Sequence, residues 1–391
     1  MKYQYSFYLS FLLLLLAGCR KTEFAGIESP SYLRVFNCLD ITTTIDNKDA
    51  PLQFLVMLID PQLDKDGIPE TAAITGDFLD KRDAWARPYP DAVNTTLYQK
   101  EYPGTLKVLA APILNGYDLS SWAQVPSGKH RVIFRTRPYS QTPFFNLEKS
   151  LRGATIIDTT IDLQPREVYT MHVLQQDFLT RKTGLYLRNE TFVKQSLSDS
   201  MVYVNFYNLS PDGFFENAGQ ARNPNEIANR SLRDTMSIYY TLQRFNNGTN
   251  LPVTGFNNLP LGIVKRSLQP HVNTYYSFPL FADTSAAKIF TGNMSQRFTF
   301  CAPGLTPEGI PWSFNLAEGM YSAISMGDYG SSNASDGSPF LIRADLRTGL
   351  IVSIHSGKNN PRSFATVNTV EYINKKFYLT TIQRKFEPPI Y

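Results

Sequence analysis

Two stretches of this chain, Tyr32-Leu33-Arg34-Val35-Phe36-Asn37 and Tyr203-Val204-Asn205-Phe206-Tyr207-Asn208, alternate their side chains with a period of two. Leu33, Val35 and Asn37 share one phase of the first; Val204, Phe206 and Asn208 share one phase of the second. Successive side chains of a strand point to opposite faces, so this pattern builds strands with one face on an apolar core. Similar runs follow at Arg131–Phe134, Val168–Val173, Phe340–Ala344 and Leu350–Ile354. A closing pair, Thr366–Tyr372 and Phe377–Ile382, is joined by Asn374-Lys375-Lys376 and predicts a hairpin that completes the second domain or packs on it. Helical periodicity is confined to Glu226–Arg233, a turn or two. With 25 Pro and 23 Gly as punctuation, and 22 Tyr and 26 Phe suited to pleated surfaces, the chain reads as all-β.

The two alternating stretches are the first of three anchors that recur in the same order. Val125-Pro126-Ser127-Gly128 before Arg131-Val132-Ile133-Phe134 matches Leu259-Pro260-Leu261-Gly262 before Ile263-Val264. Asp162-Leu163-Gln164-Pro165 before Val168–Val173 matches Asn315-Leu316-Ala317-Glu318-Gly319 before Met320–Ile324, with Thr274–Phe278 as the rival match. Such recurrence describes two homologous β-domains. At Leu33–Asn37 and Val204–Asp212, at Ser127-Gly128-Lys129-His130-Arg131-Val132 and at Tyr169-Thr170-Met171, the chain resembles DUF4397, a family of extracytoplasmic bacterial domains often found in tandem. The resemblance loosely spans residues 31–178 and 201–330. It implies an immunoglobulin-like β-sandwich for each copy and no assigned activity. The first copy departs from it by a long insertion, about 60–105, and by lacking a compact acidic strand after the opening motif. The resulting division is a first sandwich over 31–178, a linker over 179–200 and a second sandwich with the C-terminal hairpin over 201–391.

At the other end, Lys2 precedes the apolar run Phe11–Leu16, which closes on Leu16-Ala17-Gly18-Cys19. The run is shorter than the roughly 20 apolar residues that a spanning helix needs, and a basic start with small residues at its end describes a secretory signal. Leu-Ala-Gly-Cys also matches the bacterial lipobox, which implies removal of residues 1–18 and lipidation of Cys19. The two or three acyl chains of such lipoproteins hold a membrane durably, where one chain does so marginally. Residues 20–29, small and polar, then form a tether. Arg20 stands where inner-membrane retention signals carry Asp, which favours the outer membrane, and Glu23 weighs slightly toward the cell surface over the periplasmic face. Asp158-Thr159-Thr160, Asp199-Ser200-Met201 and Asp234-Thr235-Met236 are similar to O-glycosylation triplets of exported Bacteroidota proteins.

Several function classes fall away. Net charge is only +4, and the densest basic groups, Lys129-His130-Arg131 and Lys375-Lys376, form no stripe for a phosphate backbone, so nucleic acid is not an expected partner. Besides Cys19, only Cys38 and Cys301 occur, read either as one long-range disulfide or as two buried thiols. CxxC, HExxH and Cys/His clusters are absent, so neither a zinc site nor any cofactor is expected. No Gly-x-Ser-x-Gly elbow accompanies the four histidines, His130, His172, His271 and His355, and His355 reads as a surface residue at a strand end. Glu101, Glu148, Glu167, Glu190, Glu308 and Glu318 carry no glycosidase motif. The chain is expected to be non-catalytic.

Two sets of residues remain as site candidates. Asp60, Asp64, Asp66 and Glu70 lie in a loop whose Asp64-Lys65-Asp66-Gly67 resembles a calcium repeat; the competing reading is a solvated Asx-type turn. Trp85 and Tyr89, in the insertion, and Trp122 and Trp312, in loop-like surroundings, are candidates for stacking on sugar rings, against the reading that they cover sandwich ends. Organisation also resembles lipoproteins of Bacteroidota polysaccharide-utilisation loci. The expectation is a lipid-anchored binding module for a glycan or other extracellular ligand, beside an outer-membrane transport or surface complex. The alternative is an adhesin-like or envelope-assembly subunit with a protein partner.

Overall fold

The computed structural model describes residues 27–39, 54–78, 93–94, 123–138, 142–191, 197–198, 200–221, 233–246, 249–279, 294–301, 303–304, 306–307, 321–328, 349–354, 364–373 and 376–385. In the N-terminal half the strands are β1 (Ser31–Asn37), β2 (Phe54–Leu63), β3 (Pro69–Phe78), β4 (Val93–Asn94), β5 (Ala123–Val125), β6 (Gly128–Arg137), β7 (Thr155–Leu163), β8 (Val168–Gln175) and β9 (Thr183–Asn189). In the C-terminal half they are β10 (Met201–Asn208), β11 (Thr235–Asn246), β12 (Thr249–Pro252), β13 (Leu259–Lys265), β14 (Tyr276–Pro279), β15 (Met294–Cys301), β16 (Tyr321–Asp328), β17 (Gly349–Ile354), β18 (Phe364–Ile373) and β19 (Lys376–Lys385). One helix of two turns, α1 (Phe214–Ala221), follows β10. The all-β expectation holds.

The internal repeat is legible in the pairing. The first half forms sheets β5-β1-β8-β9 and β3-β2-β6-β7; the second forms β14-β10-β18-β19 and a larger sheet in which β13, β11, β15 and β16 pair in that order. In both halves the opening strand lies between an antiparallel and a parallel neighbour: β1 between β5 and β8, β10 between β14 and β18. The larger sheet adds β12 beside β11, and β17 with β4 beyond β16. Each half is a β-sandwich.

This pairing revises two of the three sequence anchors. The counterpart of β8 is β18, neither of the stretches matched to it: Tyr321 opens β16, the counterpart of β7, and Tyr276 opens β14, the counterpart of β5. Likewise β13, which begins at Leu259, corresponds to β3, and the counterpart of β6 is β15. Alternation marks a strand without naming its partner, and the added strands of the second half shift the spacing. In the C-terminal hairpin β18 pairs with β19 and lies against β10 over seven residue pairs. Two boundaries also move. Residues 60–78 of the expected insertion belong to the β2–β3 hairpin, and the expected linker contains β9, which pairs with β8. The helix sits at Phe214–Ala221, after a Pro211-Asp212-Gly213 turn whose Gly213 has φ +68°; residues 226–232, where helical periodicity was expected, lie outside the described residues.

Burial follows the alternation. Leu33 and Val35 of β1, Leu55, Met57 and Ile59 of β2, Val132 and Phe134 of β6 and Tyr169, Met171 and Val173 of β8 fill the first core. Val204 and Phe206 of β10, Ile238, Tyr240 and Leu242 of β11, and Phe298 and Phe300 of β15 fill the second, into which Phe214 of α1 also inserts. Outer strands such as β7 expose alternate residues, whereas Val168–Leu174 of β8 is buried throughout. A strand buried on both faces needs a layer on each side. The second layer on β8 is the other sandwich: sheets β5-β1-β8-β9 and β14-β10-β18-β19 meet across their outer faces, as the side-chain contacts below define.

Candidate functional site

Because β1 and β8 send Leu33, Val35, Tyr169 and Met171 into the first core, their alternate residues, Arg34, Phe36, Thr170 and His172, must face the other way. Cys38, one step past β1, has the same parity, and β9 adds Tyr186 and Arg188, with Glu190 just beyond it. All are buried, and they form one wall of a seam between the sandwiches. The opposite wall comes from β10 and β18, chiefly Tyr207, Thr369 and Glu371, with His271 from the loop before β14.

At one end of the seam three polar groups converge. The Cys38 thiol donates to Oε1 of Glu371 at 3.1 Å, and His172 Nδ1 lies 2.5 Å from the same oxygen. His172 is 0 % and Glu371 1 % exposed at the side chain, and the three ligating atoms all lie within 4.8 Å of one another. The Phe36 ring stacks on the imidazole at 5.4 Å with planes 28° apart, and the Arg34 guanidinium lies 5.1 Å from the centroid of the same Phe36 ring. Nε2 of His172 has no hydrogen-bond partner among the described residues, so Nδ1 alone sets the ring's polar contact.

Further along, Arg188 Nε donates to Glu190 Oε1 at 2.8 Å and its Nη1 donates to Thr369 Oγ1 of the opposite wall at 2.9 Å. The guanidinium also lies 4.7 Å from the Tyr207 ring centroid, a cation–π contact across the seam. Burial alone would lower the Arg188 pKa, but the Glu190 carboxylate and the Tyr207 and Tyr186 hydroxyls outweigh it and hold the guanidinium more firmly protonated than usual. Burial pushes the Tyr186 and Tyr207 hydroxyls up. A backbone clasp lies at the turn after β10. The Asp212 N–H donates to Gln176 O at 2.7 Å, Phe178 N–H donates to Asp212 O at 2.9 Å, and the Phe178 and Phe214 rings meet edge-to-face at 4.9 Å. As built, the seam joins two domains and excludes water from every charge it holds.

None of this seam is visible in the sequence as a motif. Cys38, His172 and Glu371 are separated by 134 or more positions, and Glu190 reads as one of six scattered carboxylates. The weak signal is in the strands themselves: Arg34 and His172 are the ionisable basic residues in Tyr32–Phe36 and Val168–Val173, runs with few other polar side chains. Cys38 and Cys301 are buried thiols, not joined in a disulfide, Cys301 in the second sandwich with its pKa pushed up to about 11 by burial.

The expected candidates fare differently. Asp64 Oδ1 accepts the N–H groups of Asp66 at 3.0 Å and Ile68 at 2.8 Å, and Oδ2 meets Lys149 Nζ at 2.7 Å. Those bonds, Lys149 first and Ile68 second, pull its pKa to about 2. Lys149 also reaches Glu70 at 3.1 Å, and the Asp60 carboxylate meets His130 Nδ1 at 2.7 Å and accepts Arg131 N–H at 3.0 Å. Asp64 sits in the turn, Asp60 in β2 and Glu70 in β3, and each of the three carboxylates meets a protein donor. Cys19, Trp85, Tyr89, Trp122 and Trp312 lie outside the described residues, as do His355, Glu101, Glu308 and Glu318.

No protein family's profile matches the chain, and no curated protein matches it in sequence. Among solved structures it is similar to a candidate cell adhesion protein of Parabacteroides distasonis, at 8% identity over 93% of this chain and 98% of that one, with a TM-score of 0.19. It is also similar to a candidate cell adhesion protein of Bacteroides uniformis, at 9% identity over 92% and 100%, with a TM-score of 0.15.

Proposed function

We propose that the chain is a lipid-anchored, adhesin-like binding module of a bacterial outer membrane, displayed at the cell surface and without catalytic activity. The observation that carries this reading is the seam. It docks two sandwiches face to face directly after a segment that reads as lipidated Cys19 and a short tether. Two docked domains on one anchor present their loops as a unit, so weak contacts at several loops add as effective concentration. The finer reading, two DUF4397-like domains whose loop aromatics Trp85, Tyr89, Trp122 and Trp312 stack on glycan, rests on the sequence.

The test is adhesion of intact cells to surfaces coated with host glycoprotein or with purified polysaccharide. Deleting the gene or replacing Cys19→Ala should cut adhesion by about tenfold, as loss of multivalent display does. Adhesion unchanged on both coatings would overturn the reading. Loss on the polysaccharide coating that Trp85→Ala reproduces would support the glycan form, and loss on glycoprotein that Trp85→Ala leaves intact would replace it with a protein partner.

A further inference from the structure

The end of the seam holds a thiol, an imidazole and a carboxylate from three strands of two domains, all aimed at one point and shut off from water. We propose that Cys38, His172 and Glu371 bind a divalent ion of the zinc class, which clasps the two sandwiches together. Thiolate sulfur, imidazole nitrogen and carboxylate oxygen are the three donor types that zinc accepts, and the soft thiolate argues against calcium or magnesium.

The spacing suits an ion after a small adjustment. Tetrahedral zinc with bonds of about 2.0 to 2.3 Å sets neighbouring donor atoms about 3.4 to 3.6 Å apart. Here sulfur and oxygen are 3.1 Å apart and nitrogen and oxygen 2.5 Å, the separations of groups that share protons. Entry of the ion sends the thiol proton to solvent and the Nδ1 proton to Nε2; the two short gaps open by under about 1 Å and the sulfur–nitrogen separation, within 4.8 Å, settles near about 3.6 Å, which the side-chain torsions of Cys38 and Glu371 absorb. The Phe36 ring, stacked on His172, fixes the imidazole plane and lines the site with apolar surface. Low local polarity strengthens each metal–ligand bond.

The site is closed, with His172 and Glu371 exposed by 0 % and 1 %, so the ion is loaded as the sandwiches dock. Its role is structural: Cys38 and His172 belong to the first sandwich and Glu371 to the second, and metal affinity becomes docking energy. This inference is independent of what the module binds outside the cell.

The full chain, purified without chelator from zinc-supplemented cells, should carry about one zinc per chain, falling about tenfold or more in Cys38→Ser and in His172→Gln. Because either variant could disturb docking by itself, the unmodified chain is also unfolded with chelator, freed of zinc and refolded with increasing cobalt(II). A thiolate-to-cobalt charge-transfer band should grow and saturate near one equivalent, persist in Cys301→Ser and vanish in Cys38→Ser. Purified chain that lacks metal and develops no such band would overturn the proposal and leave a hydrogen-bonded clasp. So would a band that survives Cys38→Ser.

Discussion

Glu190→Gln is the sharpest perturbation of the seam, because it removes one charge and little volume. Arg188 and Glu190 are 1 % and 2 % exposed at the side chain, and the Arg188 pKa is held up chiefly by that carboxylate. Removing one partner of a buried pair leaves the other charge uncompensated, at a cost of about 3 to 5 kcal/mol. Arg188 keeps its bond to Thr369 and its contact with the Tyr207 ring, the latter contributing about 0.5 to 2 kcal/mol, so the low end applies. About 3 kcal/mol corresponds to a Tm lowered by about 6 to 12 °C for a unit of this size. Thermal unfolding followed by far-UV circular dichroism and by calorimetry measures the shift. The double replacement Arg188→Met/Glu190→Leu should recover most of the loss, since apolar side chains of similar volume remove both charges from the seam. A Glu190→Gln chain that melts within about 2 °C of the parent would mean the pair is hydrated in solution, and the docking described here would be wrong.

Three further outcomes follow from the same structure. Phe298→Ala opens a cavity among Phe206, Tyr240 and Phe278 and should cost about 3 to 5 kcal/mol in chemical denaturation, whereas a loss under about 1 kcal/mol would place Phe298 outside the core. Gly213→Ala meets no clash, its nearest neighbour being Asn217 Nδ2 at 3.4 Å, but φ is +68°, so it should cost about 1 kcal/mol of left-handed strain; a neutral result would argue against that backbone. Asp64 has a pKa lowered from 3.8 to about 2, so its bonds stabilise the β2–β3 turn above about pH 4 and are lost as pH falls through 2. Amide exchange at Ile68 should therefore accelerate over that range, beyond the intrinsic pH trend, and a profile matching Asp64→Asn at every pH would refute the link.

How much of this was legible follows from what alternation can report. Period two at Tyr32–Asn37 and Tyr203–Asn208 places the opening strands of both sandwiches correctly, and their inward phases are the core residues Leu33, Val35, Val204 and Phe206. The same signal says nothing about partners, so it marks the β18–β19 hairpin without showing that β18 is the parallel neighbour of β10. The Asx-type turn at Asp64 was readable because its bonds are local in sequence; Lys149, which joins Asp64 to Glu70 from 85 positions away, was not. The seam was the least legible part. Arg34, His172 and Arg188 look like ordinary outward-facing strand residues until a second sandwich covers them, and only the unbroken burial of β8 reveals that layer.

Differential alkylation of the two buried thiols tests the docking most directly. Cys301 sits inside the second sandwich with its pKa raised to about 11, so it reports that core, whereas Cys38 is shielded only while the sandwiches stay together. With iodoacetamide at about pH 8, near the free thiol pKa, both should stay unmodified in the native chain and react together on unfolding. Rapid labelling of Cys38 while Cys301 remains protected would show that the seam is open in solution and contradict the account.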